Sequence, residues 1–426
     1  MRRGGALTWK PAWTEVEHGG VAARVHRFHP RSLLRQPATQ RPGTPFAPGR
    51  ASPEPVPERG TPPAMTSSLR VRRLQPDDLD PLIRIRRASF GSPSASDLPR
   101  VRAIFEGRLP HLRGAWVEDH LVAACTWYPK VGWIGGQSVR TGALASVVSA
   151  PEARRRGHVR TLIQAGLEEL HEHQVGWSGE HPFDPAFYER MGYRSIPTST
   201  LLRLSFARLP ASASRTTFAP VGIEDAHLHA TYRTFAASRS FTFDRDDPTF
   251  VERDDAGIDA RWSDLLDPPA SGAPAAVPYA CEDGYAIVAV EGHGSDGILH
   301  VIDTAWSSPA GRRNVLDMLR MWEGQAGSVQ LELPTDDPLA LREASAHARH
   351  RAPYQIRIVS VVPALAPLCS PSDGAATWRL RLVDPLAPWN AGTWRLTLGT
   401  DGTEVAPTTG APDVTMEVGA LAALLA

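Results

Sequence analysis

Between Val147 and Arg160 the chain reads V-V-S-A-P-E-A-R-R-R-G-H-V-R, an apolar strand that runs into a basic loop with a glycine and then into a helix. No other stretch limits the fold as much. Ala143 to Ser149 is strand-like, Pro151 to Gly157 is a loop with three arginines, and Leu162, Ile163, Gly166, Leu167 and Leu170 share one helical face. A helix that starts at a strand's end aims its unpaired backbone N–H groups at one spot, and its dipole favours an anion there. Arginine forks add charge-assisted hydrogen bonds, so the loop fits a pyrophosphate. The three arginines also read as a solvated charged turn. No G-x-x-x-x-G-K-S/T or G-x-G-x-x-G run is present, which argues against nucleotide hydrolysis and against a Rossmann dinucleotide site.

A weaker copy lies 158 residues on, where Ile298 to Trp306 is strand-like and Pro309-Ala310-Gly311-Arg312-Arg313 leads into a helix through Val315, Leu316, Leu319 and Trp322. Both copies share P-x-x-R-R, but Asn314 and Val315 replace Arg156 and Gly157, so the second loop lacks the glycine that lets backbone approach a phosphate. The pattern predicts a duplicated α/β fold whose second half is non-catalytic. Arg312 and Arg313 read as surface or interdomain residues.

The flanks divide the 426 residues further. Residues 1–64 hold 11 of the 39 prolines and ten Arg or Lys against four Glu, without apolar periodicity, and read as a disordered tail or as a mis-assigned start ahead of Met65. Leu69, Val71 and Leu74 open a strand, Pro76-Asp77-Asp78 opens a helix at Leu79, and Trp116 to Trp127 reads as two strands with a tight turn. Short strands at Trp378 to Val383, Trp394 to Leu398 and Val414 to Val418 suggest a third, smaller α+β unit. The expected division is 1–64 tail, 65–210 catalytic domain, 211–355 degenerate copy and 356–426 C-terminal domain.

Charge and cysteine usage exclude several classes. The 46 basic side chains balance 46 acidic ones, so no whole-protein field draws in nucleic acid or an anionic membrane. Three cysteines, Cys125, Cys281 and Cys369, form no C-x-x-C and support neither a disulfide framework nor a cysteine zinc site. His171-Glu172-His173 puts its histidines on different faces of a helix, a poor metal geometry. No metal is expected, and no apolar run reaches the ~20 residues that span a bilayer, which points to a soluble, cytoplasmic protein. Trp116, Trp127 and Trp133 read as sheet core for the first two and as a candidate pocket wall for the third.

Strand, R-R-R-G and helix together resemble the coenzyme A loop of the GNAT N-acetyltransferases, whose general form is Q/R-x-x-G-x-G/A. Arg154 and Gly157 match it, while Val159 departs from it in the manner of the Eis-like subfamily. A second segment, Pro182-Phe183-Asp184-Pro185-Ala186-Phe187-Tyr188-Glu189-Arg190-Met191-Gly192-Tyr193, resembles the F-Y-x-x-x-G-Y/F segment of the same enzymes. The resemblance implies tandem GNAT folds, the second degenerate, followed by a sterol-carrier-protein-like domain. It implies acetyl-CoA as co-substrate, with backbone groups of Val147, Val148 and Ser149 on the pantetheine and carbonyl. Arg155, Arg156, Gly157, His158, Val159 and Arg160 would take the pyrophosphate.

Tyr188 matches the general acid that protonates the leaving thiolate, a role suited to a phenol with an ordinary pKa near 10. A core tyrosine with a satisfied hydroxyl is the other reading of that residue, and Phe183 and Asp184 read either as a border of the pantetheine arm or as a turn before a helix. The resemblance further implies an aminoglycoside, polyamine or lysine-like amine as acceptor and a homo-oligomer such as a hexamer. In Eis-like enzymes the terminal carboxylate takes the amine proton; here Gly419 to Ala426 is an apolar helical run that reads as truncated by roughly two dozen residues. The alternative function is an acyl-CoA sensor or apolar-ligand binder on a GNAT scaffold.

Overall fold

The computed structural model describes residues 69–91, 98–210, 216–246, 262, 265–266, 275–343, 348–350, 354–369 and 376–425. The tail expected at residues 1–64 lies outside them.

The first sheet grows from the strands anticipated near Leu69 and Trp116. Strands β1 (Leu69–Arg73), β2 (Leu112–Val117), β3 (His120–Ile134), β4 (Gln137–Ser149), β5 (Trp177–Glu180) and β6 (Arg194–Ile196) are joined by helices α1 (Leu79–Phe90), α2 (Leu98–Gly107), α3 (His158–Glu172) and α4 (Pro185–Glu189). The spatial order is β1-β2-β3-β4-β5, then Tyr354–Ile358, then β6, with Thr242–Phe243 paired to β3. Only β4 and β5 run parallel among these pairs, because α3 is the crossover between them. Leu162, Ile163 and Leu167 of α3 are fully buried on the sheet, as their helical spacing requires. Glu169 ties the far end of α3 to β2 through a two-pronged contact with Arg113, at 2.8 and 2.6 Å.

The second sheet repeats this plan. Its order is Ala348–His350, Ser199–Leu204, Ala326–Pro334, Gly294–Trp306, Gly284–Glu291, Val277–Cys281, Phe218–Pro220. Gly294–Trp306 and Ala326–Pro334 are parallel, and the helix Pro309–Arg320 crosses between them. A four-stranded sheet, ordered Gly402–Pro407, Gly392–Gly399, Ala376–Val383, Val414–Glu417, forms the C-terminal unit with helices Val361–Leu365 and Val418–Leu424. Leu380, Leu382, Val418 and Leu421 of that unit share one core with Trp177, Ile356 and Ile358 of the first sheet.

Sheet membership departs from the expected boundaries at 210/211 and 355/356. Ser199–Leu204 belongs to the second sheet, paired with Ala326–Pro334, and Tyr354–Ile358 returns to the first sheet between β5 and β6. Tyr354–Ile358 is buried along its whole length. Its backbone pairs with both neighbours, while Gln355 donates to Ser195 Oγ of β6 and to Pro185 O, and Arg357 reaches Met191 O and Asp384. Val418 starts a helix rather than ending the last strand.

Candidate active site

The arginine-rich loop before α3 takes the shape its sequence suggests. Pro151–Ala153 forms a single 3-10 turn, Arg155 (φ 62°) and Gly157 (φ 84°) are left-handed, and α3 begins at His158. Alternating handedness turns successive backbone N–H groups into one concavity, an anion nest. An added Cβ at Gly157 meets nothing within 4 Å, so the glycine is there for its backbone angle and not for space. The first helical hydrogen bond runs from Thr161 N to Gly157 O. The N–H groups of His158, Val159 and Arg160 therefore have no acceptor within the helix. Arg154, Arg155 and Arg156 are exposed. Burial, helped by Arg156, lowers the pKa of His158, which keeps the imidazole neutral at pH 7.

Beside the loop the sheet opens. The last rung between β4 and β5 is Leu144 with Glu180, yet β4 continues to Ser149 along β3. On the β3 side the register shifts between Ala124 and Thr126, so that Cys125 faces a bulge at Ser146 and Val147, and Ser146 has φ 55°. Val147, Val148 and Ser149 thus lie on a strand whose second edge has no partner. The hydroxyls of Ser146 and Thr126 and Oε1 of Glu180 are buried without a hydrogen-bond partner. Orphaned polar atoms gathered at a strand gap mark a place built for something other than protein.

Tyr188 sits across this gap on α4, which Asp184 caps by accepting from Ala186 N at 3.1 Å. The ring is buried and packs edge-on against Phe183, Phe187 and Tyr193. Burial, with Glu180, Tyr193 and Cys125 nearby, pushes the phenol well above its ordinary value of 10. Phe183 itself is 68% exposed, an apolar surface next to the gap. The turn after α4 is pinned by three arginines, Arg194 donating to Glu189 O, Arg160 to Arg190 O and Arg357 to Met191 O, and the start of α4 by Gln355, which donates to Pro185 O. At Gly192 (φ 84°) a Cβ would lie 1.9 Å from Arg357 Nη1, so the F-Y-x-x-x-G-Y glycine leaves room for the guanidinium that holds the turn.

Two families match parts of the chain, the acetyltransferase (GNAT) domain over residues 70–196 and the sterol carrier protein domain over residues 361–426. The chain carries a GNAT acetyltransferase domain. No curated protein matches it. Among solved structures it is similar to a GCN5-related N-acetyltransferase from Anabaena variabilis, at TM-score 0.70 and 22% identity, covering 84% of this chain and 89% of that one. It is also similar to Eis1 from Mycobacterium abscessus, at TM-score 0.65 and 21% identity, covering 84% and 89%. A third is the GCN5-related N-acetyltransferase from Kribbella flavida, at TM-score 0.66 and 22% identity, covering 85% and 89%. At these identities the likeness is one of fold, and the order of units is the one expected of the Eis-like group.

The second copy differs from the GNAT domain at the loop. Its P-x-x-R-R is not a loop at all, because Pro309 is the first residue of the helix. Ser308 caps that helix, accepting from Gly311 N and donating to Asp283 Oδ2 at 2.8 Å. A Cβ on Gly311 would lie 2.0 Å from Asp283 O. The helix end is closed by protein and by a carboxylate, leaving no anion site. Arg312, expected at a surface or interdomain contact, is spent on Asp337, a bidentate pair at 2.6 Å with a fully buried carboxylate.

Other expectations resolve in the GNAT domain. Trp116 and Trp127 are core, and half-buried Trp133 lines an aromatic pocket with Trp177, Phe241, Phe243 and Tyr354. His171 bonds Ser360 Oγ at 2.7 Å and stacks on Trp389. No helix among the described residues is long and apolar enough to cross a membrane. Glu180 and Gln355 escaped the sequence reading. A lone acid at the end of the W-S-G-E strand, just before the tyrosine segment, was the available signal for the first. Nothing local signalled Gln355, whose strand is placed by pairing alone.

Proposed function

We propose that the chain is an acetyl-CoA-dependent N-acetyltransferase that moves the acetyl group to a primary amine by direct attack. The observation that carries this reading is the unpartnered edge of β4 at Val147–Ser149, flanked by the open N–H nest at Arg155–Arg160 and by Tyr188. The nest takes the pyrophosphate with Arg155, Arg156, Gly157, His158, Val159 and Arg160. The free β4 edge runs alongside the pantetheine as an added strand would and offers N–H to the developing oxyanion.

Tyr188 protonates the departing thiolate. A thiol has an ordinary pKa of about 8.5, below that of this phenol, so the phenol gives up its proton only as another reaches it. The nitrogen that has just attacked supplies that proton, and the amide forms as the thiol leaves. The acceptor class is an amine of the aminoglycoside, polyamine or lysine-like kind. A cytoplasmic homo-oligomer, as in a hexamer, is the expected assembly.

The test is free-thiol release from acetyl-CoA with a panel of such amines, for the full chain and for Tyr188→Phe. The variant is expected to lose about 10²- to 10⁴-fold in kcat, the usual share of a general acid, while binding acetyl-CoA within about threefold of the wild type by calorimetry. Tight acetyl-CoA binding without thiol release for any amine would show an acyl-CoA sensor instead.

A further inference from the structure

Glu180 is a charged residue type in a place that offers it no charge. Its side chain is 3% exposed, its Oε1 is buried without a partner, and burial alone pushes its carboxyl up to about 9. Directly opposite in the antiparallel register stands Gln355, fully buried, whose Nε2 is used by Pro185 O and Ser195 Oγ but whose Oε1 is also unpartnered. Residues directly opposed in an antiparallel pair share a face, with Cβ atoms ~5 Å apart. The two side chains thus share a face, and each keeps one buried oxygen without a hydrogen-bond partner among the described residues.

The groups that face Glu180 are few. From β4 its neighbour is Leu144, from α4 Tyr188, and from the following turn Tyr193; Cys125 of β3 couples to both tyrosines. Arg357, two residues along from Gln355, is committed to Asp384 and Met191 O. Among the described residues no guanidinium forms an ion pair with the Glu180 carboxyl. A buried carboxylate without a cation is costly, and an alkylammonium brings a charge and three N–H donors.

We propose that Glu180 and Gln355 form the amine subsite, in which the Glu180 carboxylate takes one proton from the acceptor's ammonium and Gln355 Oε1 accepts a second N–H. The proposal rests on the acetyl-transfer reading above and supplies its proton acceptor. As the ammonium enters and supplies the counter-charge, the Glu180 carboxyl gives its own proton to solvent; the carboxylate then takes a proton from the ammonium, so that an N–H bond breaks and an O–H bond forms. The free amine then attacks the thioester carbon; the C–N bond forms, the C–S bond breaks, and the second nitrogen proton reaches the sulfur through Tyr188. Glu180 keeps that proton when the amide leaves, which is its state at the start of the cycle. Neutralising Glu180 also removes the negative charge beside the Tyr188 phenol, so the acid becomes easier to ionise in the step that needs it.

Thiol release is measured from pH 6.5 to 10 for the full chain and for Glu180→Gln, Glu180→Asp and Gln355→Leu. The acceptors are a polyamine, an aminoglycoside and an amine whose own pKa lies near 7. Glu180→Gln is expected to lose on the order of 10²-fold or more in kcat/KM for the polyamine near neutral pH, the usual share of a general base. It should lose only a few-fold for the weakly basic amine, which arrives already neutral. Its activity should rise only towards the polyamine's own pKa, whereas the wild-type rise levels near pH 9.

Glu180→Asp, which keeps the carboxyl, should regain part of the loss, and Gln355→Leu should raise KM for the amine more than it lowers kcat. Calorimetric acetyl-CoA binding and a thermal melt show that each variant is folded. Equal losses for the polyamine and the weakly basic amine, or a Glu180→Gln enzyme within threefold of wild type, would overturn the proposal. An active wild type with an indifferent Glu180→Gln removes the subsite alone. A wild type inactive with every amine removes the acetyl-transfer reading and the subsite together.

Discussion

Tyr188 and Glu180 show how one environment sets two protonation states. Both are buried near one strand gap, and burial favours the neutral form of each. The consequence for stability can be signed. The Glu180 carboxyl loses its proton near 4.5 when unfolded and at about 9 when folded, so the folded state holds the extra proton between those values. Stability should therefore fall with rising pH across that window, by about 1.4 kcal/mol per pH unit at the limit of a fully buried group, and level off above it. Denaturant melts of wild type and Glu180→Gln at pH 5 and pH 8.5 check this: the variant should lose less stability between the two, and equal losses would mean that the carboxyl is ionised in the fold.

The loop before α3 depends on backbone shape more than on side chains. Gly157→Ala forces a Cβ into a left-handed conformation although the space around it is empty, which should cost about 1 kcal/mol. If the nest holds the pyrophosphate as proposed, the loss should appear mainly as a higher KM for acetyl-CoA with kcat little changed, since that part of the molecule does not react. At the other end of α3, Arg113 and Arg73 bind Glu169 and hold its carboxyl down to about 2. That contribution is present above pH 4.5 and disappears as pH falls towards 2. Replacing Glu169 with Gln should lower the melting temperature markedly at pH 7 and by much less at pH 2.5, where most of the contribution has been lost. The helix α3 was legible from its apolar face and its R-R-R-G start. The short α4 was legible as a motif around Tyr188, but the four contacts that pin its ends were not, because their partners lie as far as 170 residues away.

The units are interlocked rather than strung in line. The chain leaves the first sheet at Ile196, builds the second sheet from Ser199, and returns at Tyr354 to fill the place between β5 and β6 before starting the C-terminal unit. Arg357, fully buried on that returning strand, joins all three levels: it pairs with Asp384 of the C-terminal unit at 2.8 Å and donates to Met191 O under the Tyr188 turn. Truncating one partner of a buried pair leaves the other unsatisfied, so Arg357→Met should destabilise the fold by about 3–5 kcal/mol. It should also lower kcat by loosening the turn, though it touches no substrate. A thermal melt paired with kinetics checks it; a stable variant with normal kcat would show that the turn is held by its other two anchors, Arg194 and Arg160.

Local order in the chain was enough to place many of the elements and to mark the candidate site: a strand's apolar run, the glycine and arginines before a helix, and the spacing from Phe187 to Tyr193 are short-range facts. They gave the GNAT-type loop, the tyrosine and the duplication, including the loss of the anion site in the second copy. Only the tertiary structure decided which sheet each strand joins, and with it the placement of Gln355 opposite Glu180 and of Arg357 beneath Gly192. A strand's periodicity specifies which face is buried, not which neighbour covers it; that choice is made by pairing between segments far apart in the chain.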